Sequence, residues 1–451
     1  MSRIIVVGGV AAGMSAAAGA KRADETSEVT VFEKGRDISY GSCGLPYFIA
    51  DKDQKPEKLT VFTPETAEKK KGIKVRINSE VEKIDIKRKK VIVKDVRGGG
   101  SAEYDYDRLI IASGSVPVSP GINGIDRDNV FFLKTLEDGI KLKKFMQTKN
   151  PESAVIIGDG HIAFETAENF KKAGIKDITI MGKNRHICWW LDKDIAEVVK
   201  HTAEKNGIKV MEKRAVDKIT HLPGGRSKVI SGSQEIETDM VFISLGMRPN
   251  SELARAAGIK TDSRGCIDVN EYMETSVPDV YAAGDCANVF FIPEKKYIFM
   301  PRGTTANKQG RIAGYNAAGI KRAFGGITGV MIFKFFHLET ARAGLSEEMA
   351  VLKKIDVVSA HIRSRTHAAY YPGSERIHVK ITADRKTKKI IGAQITGGRG
   401  SGKRIDILSL ALYNEMEIEK MKDMDMAYAP PFAPVWDPVL IAVNALAKEL
   451  A

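Results

Sequence analysis

The chain has 451 residues, 43% of them hydrophobic and 28% charged, with a formal net charge of +13, which excludes a disordered polypeptide and allows about two to four domains with sizeable cores. Its cysteines, at 43, 188, 266 and 286, form no secreted disulfide framework, and neither they nor the 8 histidines have metal-ligand spacing, so no metal site is expected. With no cleavable leader, no apolar run of membrane-spanning length and lysines scattered in short runs such as Lys69-Lys70-Lys71, a cytoplasmic protein is expected, with neither membrane nor nucleic acid as partner. A positive field also suits small anions.

Arg3 to Val7 reads as a buried parallel strand, followed by the turn Gly8-Gly9-Val10-Ala11-Ala12-Gly13 and an alanine-rich helix from Met14 to about Lys21. A second strand, Val29-Thr30-Val31-Phe32, ends at Glu33, about 20 residues on, where a carboxylate accepts hydrogen bonds from a ribose. Val10 stands in place of the middle glycine of this phosphate-binding turn. Ten residues past Glu33, the segment Ser39-Tyr40-Gly41-Ser42-Cys43-Gly44-Leu45-Pro46-Tyr47 carries a cysteine with no second sulfur near it. A disulfide at Cys43 must therefore reach a small molecule or a distant cysteine. The alternative is a cysteine serving as a small buried hydrophobe.

About 150 residues later the pattern recurs: Ala154-Val155-Ile156-Ile157, then Gly158-Asp159-Gly160-His161-Ile162-Ala163-Phe164-Glu165, a helix, and the strand Ile178-Thr179-Ile180-Met181. Ala163 replaces the third glycine, whose task is close helix–strand packing. Two such units imply two nucleotides, hence electron transfer between a bound cofactor and a diffusing one; two α/β units without ligands are the alternative. Gly182 stands where NAD-binding units keep an acid, and Lys183 and Arg185 follow. Basic side chains there attract a 2′-phosphate, so the sequence leans to NADPH with NADH also usable, while solvated loop charges remain the other reading.

The segment around Cys43 resembles the single-cysteine branch of the flavin-dependent pyridine nucleotide disulfide oxidoreductases, and within it the coenzyme A disulfide reductases. Ile110-Ile111-Ala112-Ser113-Gly114-Ser115-Val116-Pro117, Gly246-Met247-Arg248-Pro249-Asn250 and Thr275 to Asp285 resemble the family's crossings and its second FAD motif. The ending, from Tyr428-Ala429-Pro430-Pro431 to Asp437-Pro438, resembles its interface domain. The resemblance implies an α/β fold with two Rossmann-like domains and an α+β C-terminal dimerisation domain. Its implied bounds are 1–120 with 246–324 for FAD, 121–245 for NAD(P)H and 325–451 for the dimer interface.

The cofactor residues it implies are Gly8, Gly9, Ala11, Ala12, Gly13, Glu33, Lys34, Ala112, Ser113, Gly114, Gly246, Gly284, Asp285 and Ala306 for FAD. Gly158, Gly160, His161, Ile162, Glu165, Lys183 and Arg185 serve the nicotinamide. It implies Cys43 as the redox sulfur, carried as a mixed disulfide with coenzyme A, and Tyr428 as acid, with Tyr370 or Tyr371 in second place; tyrosines packed at a dimer interface are the plainer alternative. The coenzyme A residues it implies are Ser15, Arg22, Ser39, Ser42 and Lys71. Ser42 and Gly19 depart from the branch's pattern, and Ala11 stands where the oxidases and peroxidases have a histidine. The expected activity is reduction of coenzyme A disulfide, or a related small disulfide, by NAD(P)H in a homodimer. Its rivals are a polysulfide or sulfur reductase, often with an added rhodanese domain that is not found here, an NADH oxidase, and a low-turnover flavin redox sensor.

Overall fold

The computed structural model describes residues 1–451. Runs of β-branched residues form the buried strands of two five-stranded parallel sheets. In the first the order is Val280–Ala282, Arg108–Ile111, Arg3–Val7, Glu28–Phe32, Ile73–Arg76, so a strand from late in the chain completes a sheet begun at its start. In the second the order is Ile208–Met211, Asp177–Met181, Ser153–Ile157, Met240–Ile243, Val130–Phe131. Between the sheets the chain crosses through an antiparallel pair, Ser115–Pro117 with Met247–Pro249.

Each sheet feeds a helix through a glycine turn: α1 (Ala11–Ala23) in the first and α2 (His161–Lys172) in the second. The first helix starts at Ala11 rather than the expected Met14, because alanine has the highest helix propensity and nothing stops the helix short of the turn. Val10 offers no capping side chain, which leaves the first amides of α1 free to meet an anion. Along α1 lies α3 (Gly303–Ala317). A Cβ on Gly310 would sit 2.2 Å from the Ala12 carbonyl oxygen and one on Gly314 2.1 Å from that of Ala16, so glycine alone permits this approach.

The C-terminal region is an antiparallel five-stranded sheet with α4 (Pro438–Leu450) packed on one face. Its order is Met331–Phe335, Leu338–Gly344, Ile390–Gly397, Arg376–Asp384, Val357–Arg365. Ile377, Val379, Ile381, Val443 and Leu446 belong to its core. Lys380, almost fully buried, ties this sheet to the second parallel unit by reaching Asp192 at 3.0 Å and Asp194 at 3.2 Å, with Glu347 at 2.8 Å on its own side. The architecture is the expected one, two Rossmann-like units and an α+β C-terminal domain. No helix is long and apolar enough to cross a membrane, and no cluster of His, Cys, Asp or Glu is arranged to hold a metal ion.

Candidate active site

The two glycine turns are shaped for nucleotide backbones. Gly8 has φ +101°, and a Cβ on it would lie 2.3 Å from the Ala112 carbonyl oxygen; one on Gly13 would lie 1.8 Å from that of Gly8. The Glu33 carboxylate is fixed beside this turn, accepting from the amides of Gly9 at 2.6 Å and Gly35 at 2.8 Å. Each of its oxygens keeps a lone pair for a ribose hydroxyl. Ala12, Gly284 and Ala306 form one tight contact, since a Cβ on Gly284 would sit 2.6 Å from that of Ala12 and 3.5 Å from that of Ala306. Next to it, Asp285 Oδ2 accepts from Ser115 Oγ at 2.7 Å and from Lys134 Nζ at 3.3 Å. Ser113 Oγ donates to the Asn250 carbonyl at 2.5 Å, and Gly114 and Gly246 adopt φ +74° and +96° in the crossings. These residues fit a dinucleotide lying from the N-terminus of α1 to Asp285. Lys34 is exposed and ion-paired with Glu80 at 2.8 Å, a pairing its neighbours in sequence give no hint of.

In the second turn Gly158 has φ +122° with a prospective Cβ 2.1 Å from the Ser244 carbonyl oxygen, and Gly160 caps α2 without a side chain. At the end of Asp177–Met181, Gly182 packs on a carboxylate from the turn: a Cβ on Gly182 would meet Asp159 Oδ2 at 2.1 Å, and Asn184 Nδ2 donates to both oxygens of that buried carboxylate at 3.1 and 3.3 Å. Lys183 and Arg185 are exposed, and backbone bonds bring Lys213 and Arg214 beside them, with the Lys213 amide on the Asn184 carbonyl at 3.0 Å and the Arg214 amide on that of Gly182 at 2.8 Å. At the head of α2, the partly buried Ile162 adjoins His161, whose ring centroid lies 6.4 Å from those of both Trp190 and Phe333. Burial foremost, then the Arg302 charge, hold the His161 pKa down to about 3, so the imidazole is neutral.

Cys43 occupies the short turn Ser42–Gly44 and is exposed, whereas Cys188, Cys266 and Cys286 are buried. A Cβ on Gly303 would lie 3.9 Å from its Sγ, which puts the sulfur at the N-terminus of α3. The same loop reaches α2, because Tyr47 Oη donates to Glu165 Oε1 at 2.9 Å. Burial pushes Glu165 up to about 7, with Tyr47 opposing and Glu168 adding to the rise. The Cys43 thiol is also pushed up, first by loss of water around the sulfur, then by Glu165 and Asp285, while Arg302 and Lys134 pull it down. Carboxylates and cations are thus gathered around one accessible sulfur.

From Cys43 a row of polar side chains follows α3 along its contact with α1. Ser15 Oγ donates to Asn307 Oδ1 at 2.6 Å, and Asn307 Nδ2 to the Gly303 carbonyl at 2.8 Å. One and two turns on, Arg311 Nη2 reaches Tyr315 Oη at 3.4 Å, and the Arg322 guanidinium lies 4.3 Å from the Tyr315 ring centroid. Arg311 foremost, with Arg22 and Arg322, holds the Tyr315 hydroxyl below the usual phenol range. Positions 303 to 315 span about 18 Å of one helix face. Arg22 therefore stands at the far end of a track that starts at Cys43. Lys71 ends the helix Pro64–Lys71, and a Cβ on the next residue, Gly72, would lie 3.2 Å from Lys21 Cε on α1. Ser39, at φ 49°, donates its amide to the Gly9 carbonyl at 2.9 Å and so lies between turn and cysteine, with Ser42 adjoining Cys43. Gly19, missing a polar side chain, is required for packing, as a Cβ there would sit 2.8 Å from the Arg311 carbonyl oxygen.

The C-terminal tyrosines are not joined to this site within one chain. Tyr370 and Tyr428 share a hydrogen bond of 3.2 Å between hydroxyls, and Tyr371 packs its ring 5.7 Å from that of His367. Around them Phe432 is 76% exposed, Val435 69% and Trp436 61%, an apolar surface that calls for a covering partner. Sequence reasoning missed Lys134, Asn307, Arg311, Tyr315 and Arg322. The spacing of four between Asn307, Arg311 and Tyr315 was the available signal, since it aligns them on one face.

Residues 2–316 match the family described as pyridine nucleotide-disulphide oxidoreductase, and residues 330–438 match its dimerisation domain. The chain is 36% identical over 447 residues to the NAD(P)H sulfur oxidoreductase (CoA-dependent) of Pyrococcus furiosus, covering 98% of this chain and 99% of that one. It is 33% identical over 450 residues to the NADH oxidase of Methanocaldococcus jannaschii, covering 100% and 99%. With the coenzyme A disulfide reductase of Staphylococcus haemolyticus the identity is 31% over 436 residues, covering 96% of each. The reduced Bacillus anthracis CoADR-RHD structure superposes with a TM-score of 0.96 at 32% identity, over 100% of this chain and 80% of that one.

Proposed function

The chain belongs to the pyridine nucleotide-disulphide oxidoreductases, and from that premise we propose that it reduces coenzyme A disulfide, or a closely related small disulfide, with NAD(P)H through Cys43. Family membership implies FAD and a pyridine nucleotide as cofactors; FAD, when bound, relays an electron pair from nicotinamide to sulfur. The observation that carries the reading is the position of Cys43. It is the exposed cysteine of the four, and it heads a row of polar side chains along α3 that ends in arginines. A thiol on a long arm with phosphates at the other end suits that track, and Arg22, Arg311 and Arg322 meet the phosphates. Ser15, Ser39, Ser42 and Lys71 line the approach.

Two electrons entering the Cys43–S–S–coenzyme A bond break it into two thiolates, and one leaves as a coenzyme A thiol after taking a proton from Tyr428 of the partner subunit. The Cys43 thiolate then attacks coenzyme A disulfide, forming a new mixed disulfide and expelling the second coenzyme A. Net, NAD(P)H, a proton and one disulfide give NAD(P)⁺ and two thiols. The exposed apolar surface around Tyr428 and the match to a dimerisation domain support a homodimer in which the partner's tail covers Cys43. Lys183, Arg185, Lys213 and Arg214 support NADPH as donor, with NADH also accepted. The domain bounds 1–120 with 246–324, 121–245 and 325–451 belong to the same reading.

A persulfide route on the same Cys43 is the second reading, favoured by the likeness to the Pyrococcus furiosus sulfur oxidoreductase. Intact mass of the oxidised holoenzyme separates the two. A coenzyme A adduct on Cys43, lost on NADPH reduction and absent from Cys43→Ser, is the expected result. Adducts of bare sulfur or oxygen only would replace coenzyme A disulfide by polysulfide or oxygen, and full disulfide turnover by Cys43→Ser would overturn the proposal.

A further inference from the structure

Arg302, immediately before α3, is a cation that the fold leaves without a counter-charge. Its Nε is buried with no hydrogen-bond partner, and its guanidinium donates to one side chain, the Met331 sulfur, through Nη2 at 3.0 Å. No carboxylate is paired with it: the nearby Asp285 is engaged by Lys134 at 3.3 Å and by Ser115 at 2.7 Å. Its other cationic neighbour, Arg342, is nearly fully buried and likewise has an unpartnered Nε. Neutral His161 supplies no anion. A half-buried guanidinium in this position is unfavourable unless a negative charge arrives.

The next residue shows where that charge forms. Gly303 is the residue whose prospective Cβ lies 3.9 Å from Cys43 Sγ, so the sulfur stands at the helix N-terminus beside Arg302. We propose that Arg302 is the counter-charge of the Cys43 thiolate, a positioning residue that acts through the sulfur without touching the bond that breaks. The inference rests on the reading of Cys43 as the redox sulfur. When two electrons split the Cys43–S bond, one thiolate leaves and is protonated, and the other stays on Cys43 facing the unpaired guanidinium. The groups that face this sulfur are Glu165 of α2 and Asp285, which oppose the thiolate, and Arg302 and Lys134, which favour it, with the N-terminus of α3 adding to the second set. Tyr47, hydrogen-bonded to Glu165, is the remaining titratable neighbour.

The test is the pH profile of Cys43 alkylation by iodoacetamide in the NADPH-reduced holoenzyme, read by intact mass, for wild type, Arg302→Gln and Arg302→Lys. Removing a cation close to a thiolate raises the midpoint by about one pH unit or more, so Arg302→Gln should move up by that amount and Arg302→Lys should stay close to wild type. A second measurement needs no variant: wild type should prefer anionic iodoacetate over neutral iodoacetamide several-fold more than free cysteine does. Coincident profiles for Arg302→Gln and wild type would overturn the inference, as would a wild-type preference no greater than that of free cysteine. Failure of the underlying reading looks different. In that case alkylation still depends on Arg302, yet the fully alkylated enzyme reduces disulfide at the unmodified rate.

Discussion

Gly182→Ala is the substitution whose cost follows most directly from the geometry. The added Cβ would lie 2.1 Å from Asp159 Oδ2, 2.6 Å from its Cγ and 2.7 Å from its Cβ. Gly182 does not use a left-handed backbone conformation, so an alanine meets no conformational strain and the collision is the whole effect. Asp159 is 5% exposed and held by Asn184, so it must move about 1 Å within a packed wall and loosen both hydrogen bonds. Overpacking of this kind costs about 1–3 kcal/mol. In an Asp159→Gly background all three of these atoms are gone, and the same Gly182→Ala change should cost close to nothing, so nearly the entire loss appears as a coupling term. Urea denaturation of wild type, the two single variants and the double variant measures it, with fluorescence of Trp189 and Trp190 as a probe near the collision. An equal cost of Gly182→Ala in both backgrounds would refute the steric account.

Gly8→Ala should purify with at most about a tenth of the wild-type flavin content, because φ +101° and a contact of 2.3 Å with the Ala112 carbonyl leave no room for a methyl group; visible absorbance after gel filtration reads it. Replacing Lys213 and Arg214 by glutamine should raise the NADPH Michaelis constant about ten-fold or more and leave that for NADH nearly unchanged, since each charge-assisted contact contributes roughly 1.5–3 kcal/mol. Equal changes for the two donors would remove both residues from the proposed phosphate site. Trp436→Asp should convert the homodimer to monomer and lower disulfide turnover with it, as seen by light scattering at matched concentration, because a charge in the apolar patch cannot be buried unpaired.

The strand, turn and helix units were legible because their constraints are local. Gly8, Gly13 and Gly158 are excluded from carrying a side chain by carbonyls of the same unit or of the strand beside it, so the glycines mark the turns in the sequence itself. The return of Val280–Ala282 to the first sheet was signalled only through the resemblance of the Thr275 to Asp285 segment to a second FAD motif. What stayed hidden depends on residues far apart in sequence. Asp159 and Gly182 share one volume, Ser15 meets Asn307, and Cys43 meets Gly303 only once α3 lies on α1. The buried carboxylate beside Gly182 is one such case, since it comes from the turn and not from the strand end. The ion pair of Lys34 with Glu80 is another contact between residues far apart in sequence.

The charge arrangement around Cys43 makes the sulfur and Glu165 compete for one proton. Arg302 and Lys134 contribute positive charge, Asp285 is engaged by Lys134, and Glu165 is pushed up to about 7, so near neutrality its carboxyl is partly protonated. When Glu165 ionises, its charge raises the energy of a thiolate at Cys43, and when it is neutral Arg302 and Lys134 favour that thiolate. Glu165→Gln keeps the shape and fixes the neutral state. The sign is therefore determined: the Cys43 alkylation midpoint should fall in Glu165→Gln, by several tenths of a pH unit to about one unit for a like charge at this range. Tyr47→Phe should move the midpoint the same way by less, because losing the hydroxyl that stabilises the carboxylate raises Glu165 further and leaves it neutral over a wider range. Both shifts oppose that of Arg302→Gln, so the three variants measured by one assay bracket wild type from two sides. A midpoint that rises in Glu165→Gln, or does not move, would mean that the carboxylate and the sulfur do not share a field and that α2 serves the nicotinamide alone.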